Sequence, residues 1–171
     1  MVAFSDIVAG NTIIADELRD AILDTSFRVA KTSDQSVSSA TTGSTLVDDT
    51  QLIAPLSVGN ARYIMQAGIR YSSNSTADIK FTFSGPSGMT MVFGGPTIDL
   101  TTSTASNFAE AIAPSVLTSG GTGGTVLVTL HGSLSTGATT GNLTLRWAQN
   151  TSNAGTTTVS NFSWLQVWRI T

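Results

Sequence analysis

The chain has 171 residues and a formal net charge of −3, from eight Lys and Arg against eleven Asp and Glu, and it contains no cysteine. The length suits one domain, or one domain with an arm. The lack of cysteine excludes a disulfide scaffold and a thiolate zinc site, and a hydrophobic fraction of 40% excludes charge-driven disorder. No apolar run approaches the roughly 18 residues of a membrane span, and the opening MVAFSDIVAG lacks a basic segment followed by a long apolar one, so no signal peptide is expected. An acidic chain is poorly suited to phosphate backbones. The composition is that of a Ser-, Thr- and Gly-rich β protein, with neither nucleic acid nor membrane expected as a partner.

Charge is unevenly spread. Residues 1–50 hold eight acids and three bases, whereas residues 51–171 hold three acids and five bases, so the two parts attract each other within one chain or between copies. Within the acidic part, Ile14, Leu18, Ala21 and Ile22 form one apolar stripe at helical spacing, and Asp16 and Glu17 fall in the first turn. A short helix is therefore expected over 14–23. Ten residues are marginal alone, so the stripe reads as a docking element in an arm of residues 1–25.

From about residue 26 the period changes to two. In 61–71, Tyr63, Met65, Ala67, Ile69 and Tyr71 share one face. In 77–83 the same holds for Ala77, Ile79, Phe81 and Phe83, in 125–134 for Val126, Val128 and Leu130, and in 142–149 for Leu143, Leu145 and Trp147. Shorter strands are expected at 27–31, 44–47, 89–93, 97–100, 108–112 and 156–159, separated by turn clusters at 72–76, 84–88, 94–96, 119–124 and 137–141. The last strand, 162–170, is apolar on both faces. Phe162, Trp164, Trp168 and Ile170 lie to one side, and Leu165 and Val167 to the other. A sheet with one wet face would alternate apolar with polar, so both faces call for a cover: the opposite sheet for one, the 14–23 segment or a neighbouring subunit for the other. The expected fold is all-β, an antiparallel β-sandwich or jelly roll over 26–171 preceded by the short N-terminal helix.

Reactive chemistry is scarce. His131 is the single histidine and falls on the polar side of its strand, which suits a solvent- or interface-facing residue better than a general base. Asp48 and Asp49 fit a strand end or turn, bonded to its own backbone or to an arginine, better than a cation site lacking EF-hand spacing. The run Gly120–Gly124 lacks the lysine of a phosphate loop and precedes a strand, and neither Ser87 nor Ser133 sits in a nucleophile elbow. The acids after residue 50 are only Asp78, Asp99 and Glu110, a thin supply for a carboxylate pair. The sequons at Asn74, Asn142, Asn150 and Asn161 are what so much Ser and Thr produces by chance. No catalytic, metal or cofactor residues are expected. Trp164, Trp168, Phe162, Ile170, Tyr63 and Tyr71 are the expected anchors of the core or of a subunit interface.

Three segments resemble small virion proteins of tailed bacteriophages: the opening GNTIIADELRDAI, the stretch from VAKTSDQSV to NARYIMQAGIRY, and the ending LTLRWAQNTSNAGTTTVSNFSWLQVWRI. They cover roughly the first 70 and last 30 residues. The resemblance implies a β-sandwich, usually trimeric, on the outside of a phage particle and made in the host cytoplasm. Its partners would be further copies of itself and the major capsid protein or other virion proteins, as a capsid decoration or head accessory protein. A tail-tip or fibre module that binds a host-surface glycan through loops 72–76, 119–124 and 149–156 is the alternative.

Overall fold

The computed structural model describes residues 26–170 apart from Ser103. Twelve strands run in chain order: β1 (Ser26–Ala30), β2 (Gln35–Val37), β3 (Val47–Leu56), β4 (Arg62–Ser72), β5 (Ile79–Ser84), β6 (Thr90–Ile98), β7 (Ala105–Ile112), β8 (Leu117–Ser119), β9 (Thr125–Ser135), β10 (Gly141–Ala148), β11 (Thr157–Val159) and β12 (Trp164–Arg169). All their pairings are antiparallel. The large sheet has the order β1-β12-β4-β9-β6-β7, with β11 pairing β4 beyond the end of β12 and β2 pairing β11; the small sheet has the order β3-β10-β5-β8.

The alternation read from the sequence fills the space between the sheets. Met65, Ala67, Ile69 and Tyr71 of β4 are buried, as are Val128 and Leu130 of β9, Phe81 and Phe83 of β5, and Leu143, Leu145 and Trp147 of β10. Each large apolar side chain buried in this way contributes about 1.5–3 kcal/mol. Phe83 and Phe93 meet edge to face across the core at 5.1 Å between ring centroids, and Tyr71 and Phe81 at 5.8 Å, the geometry that the ring quadrupole favours.

The expected fold class needs correction. Among the described residues there is no helix, and the stripe at Ile14, Leu18, Ala21 and Ile22 lies outside them. The helical expectation rested on local spacing in a segment too short to hold itself, whereas the core between the sheets is built mainly from strand residues, with Ala61, Val58, Met89 and Ala113 added from the connections. A jelly roll divides eight strands between two Greek keys; here one sheet has eight strands and the other four.

Two local expectations also change. The expected turn at 94–96 is the middle of β6, because Gly94 and Gly95 serve close packing: a Cβ on Gly94 would run into the backbone oxygen of Ala109, and one on Gly95 into that of Thr129. The expected strand at 44–47 is displaced to β3, whose register against β10 shifts between Thr144 and Arg146. That bulge places Asp48 and Asp49 in different environments.

Candidate functional site

Asp49 is fully buried, and its carboxylate accepts from four residues. The Lys31 ammonium donates to both oxygens, at 2.9 and 2.8 Å. The backbone N–H groups of Gln51 and Leu52 donate to Oδ1 at 2.9 and 2.8 Å, and the Trp147 indole donates to Oδ2 at 3.3 Å. Asp48 points outward and pairs with Arg146 at 2.8 Å. The two adjacent acids thus sit in the bulged part of β3 and form two separate ion pairs, and the donors around Asp49 fill the positions a cation would need. Asp34, Asp78 and Asp99 are each engaged separately, Asp34 by the Asn161 N–H at 2.7 Å. Asp78 accepts the Gly121 N–H at 2.8 Å, and Asp99 accepts from the backbone of Thr101 and Thr102 and from the Thr102 hydroxyl, which hold its carboxyl below the usual carboxylate range. No group of three metal-ligating side chains occurs among the described residues.

Chemistry of another kind gathers on the outer face of the large sheet. Cross-strand register lays it out in rows. One row runs Ser26, Trp168, Ile64, Ser133, Val92, Ile112; the next runs Arg28, Gln166, Gln66, His131, Gly94, Glu110. A third contains Ala30, Trp164, Gly68 and Thr129. Ile64, Val92 and Ile112 are exposed at 42%, 38% and 61%, and Phe108, opposite Pro96, at 79%. Trp164 lies over Gly68, where a Cβ would strike the indole. His131 meets Gln66 with 3.3 Å between Nδ1 and Nε2. Beside Trp164, an open groove of about 430 Å³ runs along β1 and β12, lined by Arg28, Val29, Ala30, Leu165 and Gln166.

The six anchors expected from the sequence divide. Tyr63 and Tyr71 are core residues, at 4% and 0% exposure. Trp164 and Trp168 stand half-buried on the outer face, while Ile170 and Phe162 are exposed at 55% and 74%, both beyond the ends of β12. Phe162 has a positive φ of 67°, in the region that bulky residues avoid. It falls where β11 gives way to β12, and there the Ser163 hydroxyl accepts the Arg70 N–H at 2.9 Å, filling the break in the ladder. Register against β4, invisible before the partner strands are known, is what turns scattered apolar residues into a face.

A second gathering lies at one end of the sandwich. Loops 72–76, 119–124 and 149–156, separate in sequence, meet there. Asn74 Nδ2 donates to Asn153 Oδ1 at 3.2 Å, and the Gly123 N–H donates to the Ser73 carbonyl at 2.9 Å. Asn74 Oδ1 also accepts the N–H groups of Thr76 and Ala77, and Gln149 braces the third loop through the Asn153 N–H and the Gly155 carbonyl. These loops are held by fixed side-chain bonds.

No family model matches the chain, and no curated protein matches it. A solved structure to which it is similar is that of the tripod (BppUct-A-L) from the baseplate of bacteriophage Tuc2009, with a TM-score of 0.38 and 8% identity over 99% of this chain and 76% of that one.

Proposed function

We propose that the chain is a structural protein of a bacteriophage particle, without catalytic activity. In this reading it is an exterior capsid decoration or head accessory protein that assembles as a homotrimer and contacts the major capsid protein or another virion protein. The observation that carries it is the outer face of the large sheet. The core is already closed between the two sheets, yet this second face presents Trp164, Trp168, Ile64, Val92 and Ile112 in cross-strand rows. Large apolar side chains left exposed in rows of this kind mark a surface that is covered in use. The particle itself comes from the resemblance of the three sequence segments to small virion proteins. A second reading, a tail-tip or fibre component that binds the host surface, is favoured by the convergence of loops 72–76, 119–124 and 149–156, since braced polar loops at the end of a sandwich make recognition sites. Antibody against the purified protein, imaged on intact particles, tests both. Label over the head supports the first and label at the tail supports the second; particles that carry none of the protein would overturn both.

A further inference from the structure

The row through the middle of the outer face has opposite charges at its two ends. Arg28 stands on β1 and Glu110 on β7, the two edge strands of the six-strand path, and both are exposed. Among the described residues neither forms an ion pair. Between them lie Gln166, Gln66, His131 and Gly94, none of which carries a fixed charge; Trp168, Ile64, Val92 and Ile112 stand in the row on one side and Trp164 in the row on the other.

We propose that this face is covered by further copies of the same chain, with Arg28 of one copy against Glu110 of the next. Arg62 and Arg70 also stand on this face, at the two ends of β4, and it is the Arg28–Glu110 pairing that sets the orientation of a second copy. A copy that approaches with the opposite edge brings unlike charges together, whereas one that approaches with the same edge sets Arg28 against Arg28 and Glu110 against Glu110. Unlike pairing therefore fixes the register of association, and the flanking apolar side chains supply the burial. The dimensions fit. Six strands about 4.8 Å apart span about 24 Å, and the nine residues Arg62 to Arg70 run about 27 Å, giving roughly 650 Å² before side-chain relief, close to the ~800 Å² per partner of a stable interface.

The inference rests on the self-assembly in the proposed function but not on the place in the virion, so it is tested on free protein. The chain has no cysteine, which makes cross-linking clean. Under mild oxidation at micromolar concentration, the Arg28→Cys/Glu110→Cys double variant should form disulfides between chains, while each single variant stays uncross-linked. In sedimentation, Arg28→Glu should weaken association about tenfold, and Arg28→Glu/Glu110→Arg should restore it to within about threefold. Several outcomes would overturn the proposal: a folded double-cysteine variant that yields no cross-link, an Arg28→Cys variant that cross-links to itself as readily, or charge reversals without effect. A full-length monomer whose Trp164 and Trp168 are already shielded from iodide would also overturn it, assigning the cover to residues 1–25 of the same chain.

Discussion

At the scale of single residues, the most demanding group is the Asp49 carboxylate. A buried ion pair is of doubtful net worth against an apolar replacement, but removing one partner strands the other charge and typically costs about 3–5 kcal/mol. Asp49→Ala leaves the Lys31 ammonium, with no exposed side-chain surface, facing no counter-charge. It also frees the Gln51 and Leu52 N–H groups that shape the β3 bulge. We expect a loss of about 4 kcal/mol in urea denaturation. Lys31→Met should cost less, because Asp49 keeps two backbone donors and the Trp147 indole. Asp48→Asn should change stability by under about 1 kcal/mol, as befits an exposed pair; an equal loss from Asp48→Asn and Asp49→Ala would refute the separation of roles. Tyr71 offers a test by pH. Burial pushes its hydroxyl up to about 12 from an ordinary value of 10.0, a hydrogen bond from Ser119 works the other way, and the negative charge of Asp78 adds to the rise. Between these values the unfolded chain releases the proton while the folded chain holds it, so folding stability is intact below pH 10 and falls as pH rises toward 12. Tyr71→Phe should flatten this part of the pH profile relative to the parent. It should also cost about 1–2 kcal/mol at neutral pH, because the Gly120 carbonyl and Ser119 lose their partner. A profile with the same slope in both proteins would remove Tyr71 as its cause.

At the scale of elements, what could be read in the sequence divides along a physical line. Strands with one apolar face in the core, such as β4, β5, β9 and β10, show period-two alternation and were legible. Three features were not. β3 hides its pattern behind Asp48 and Asp49, because a bulge resets the alternation and a paired carboxylate takes an interior place. β2 and β8 are three residues long, too short for any period. Gly94, Gly95 and Pro96 carry turn chemistry, yet here the glycines admit neighbouring backbones, a condition set by β7 and β9 and therefore not local. Glycine substitutions separate the two kinds of close approach. Gly95→Ala sets a methyl against the Thr129 carbonyl, which can yield only if β6 and β9 part. Gly68→Ala meets the Trp164 side chain, which stands on the outer face and can swing away. We expect Gly95→Ala to cost about 3 kcal/mol or more. For Gly68→Ala we expect about 1 kcal/mol, together with a red-shifted tryptophan emission as the indole lifts. The reverse ranking would mean that the outer face is the more rigidly packed of the two.

At the scale of the whole molecule, the question is which parts of the chain the sandwich needs. Among the described residues its core draws on Phe27 and Val29 of β1, the first described strand, on Val37 of β2, and on β3 through β12. β1 itself is secured by five paired residues along β12 and by the Lys31 N–H bond to the Ser163 carbonyl at 2.7 Å. A chain that starts at Ser26 should therefore fold. Its urea midpoint should stay near that of the full chain, and its denaturant slope should be little changed, since that slope follows the surface exposed on unfolding. Removing residues 1–25 does remove five of the eleven acids and one of the eight Lys and Arg, which takes the formal charge from −3 to +1 and lessens any attraction that the acidic part supplies between copies. Folding and assembly should thus come apart: an intact cooperative transition, with self-association weaker and less sensitive to salt than in the full chain. The comparison is urea unfolding and sedimentation of both chains at low and moderate ionic strength. A truncated chain that fails to unfold cooperatively would show that the first 25 residues complete the core and that the boundary at 25 is misplaced.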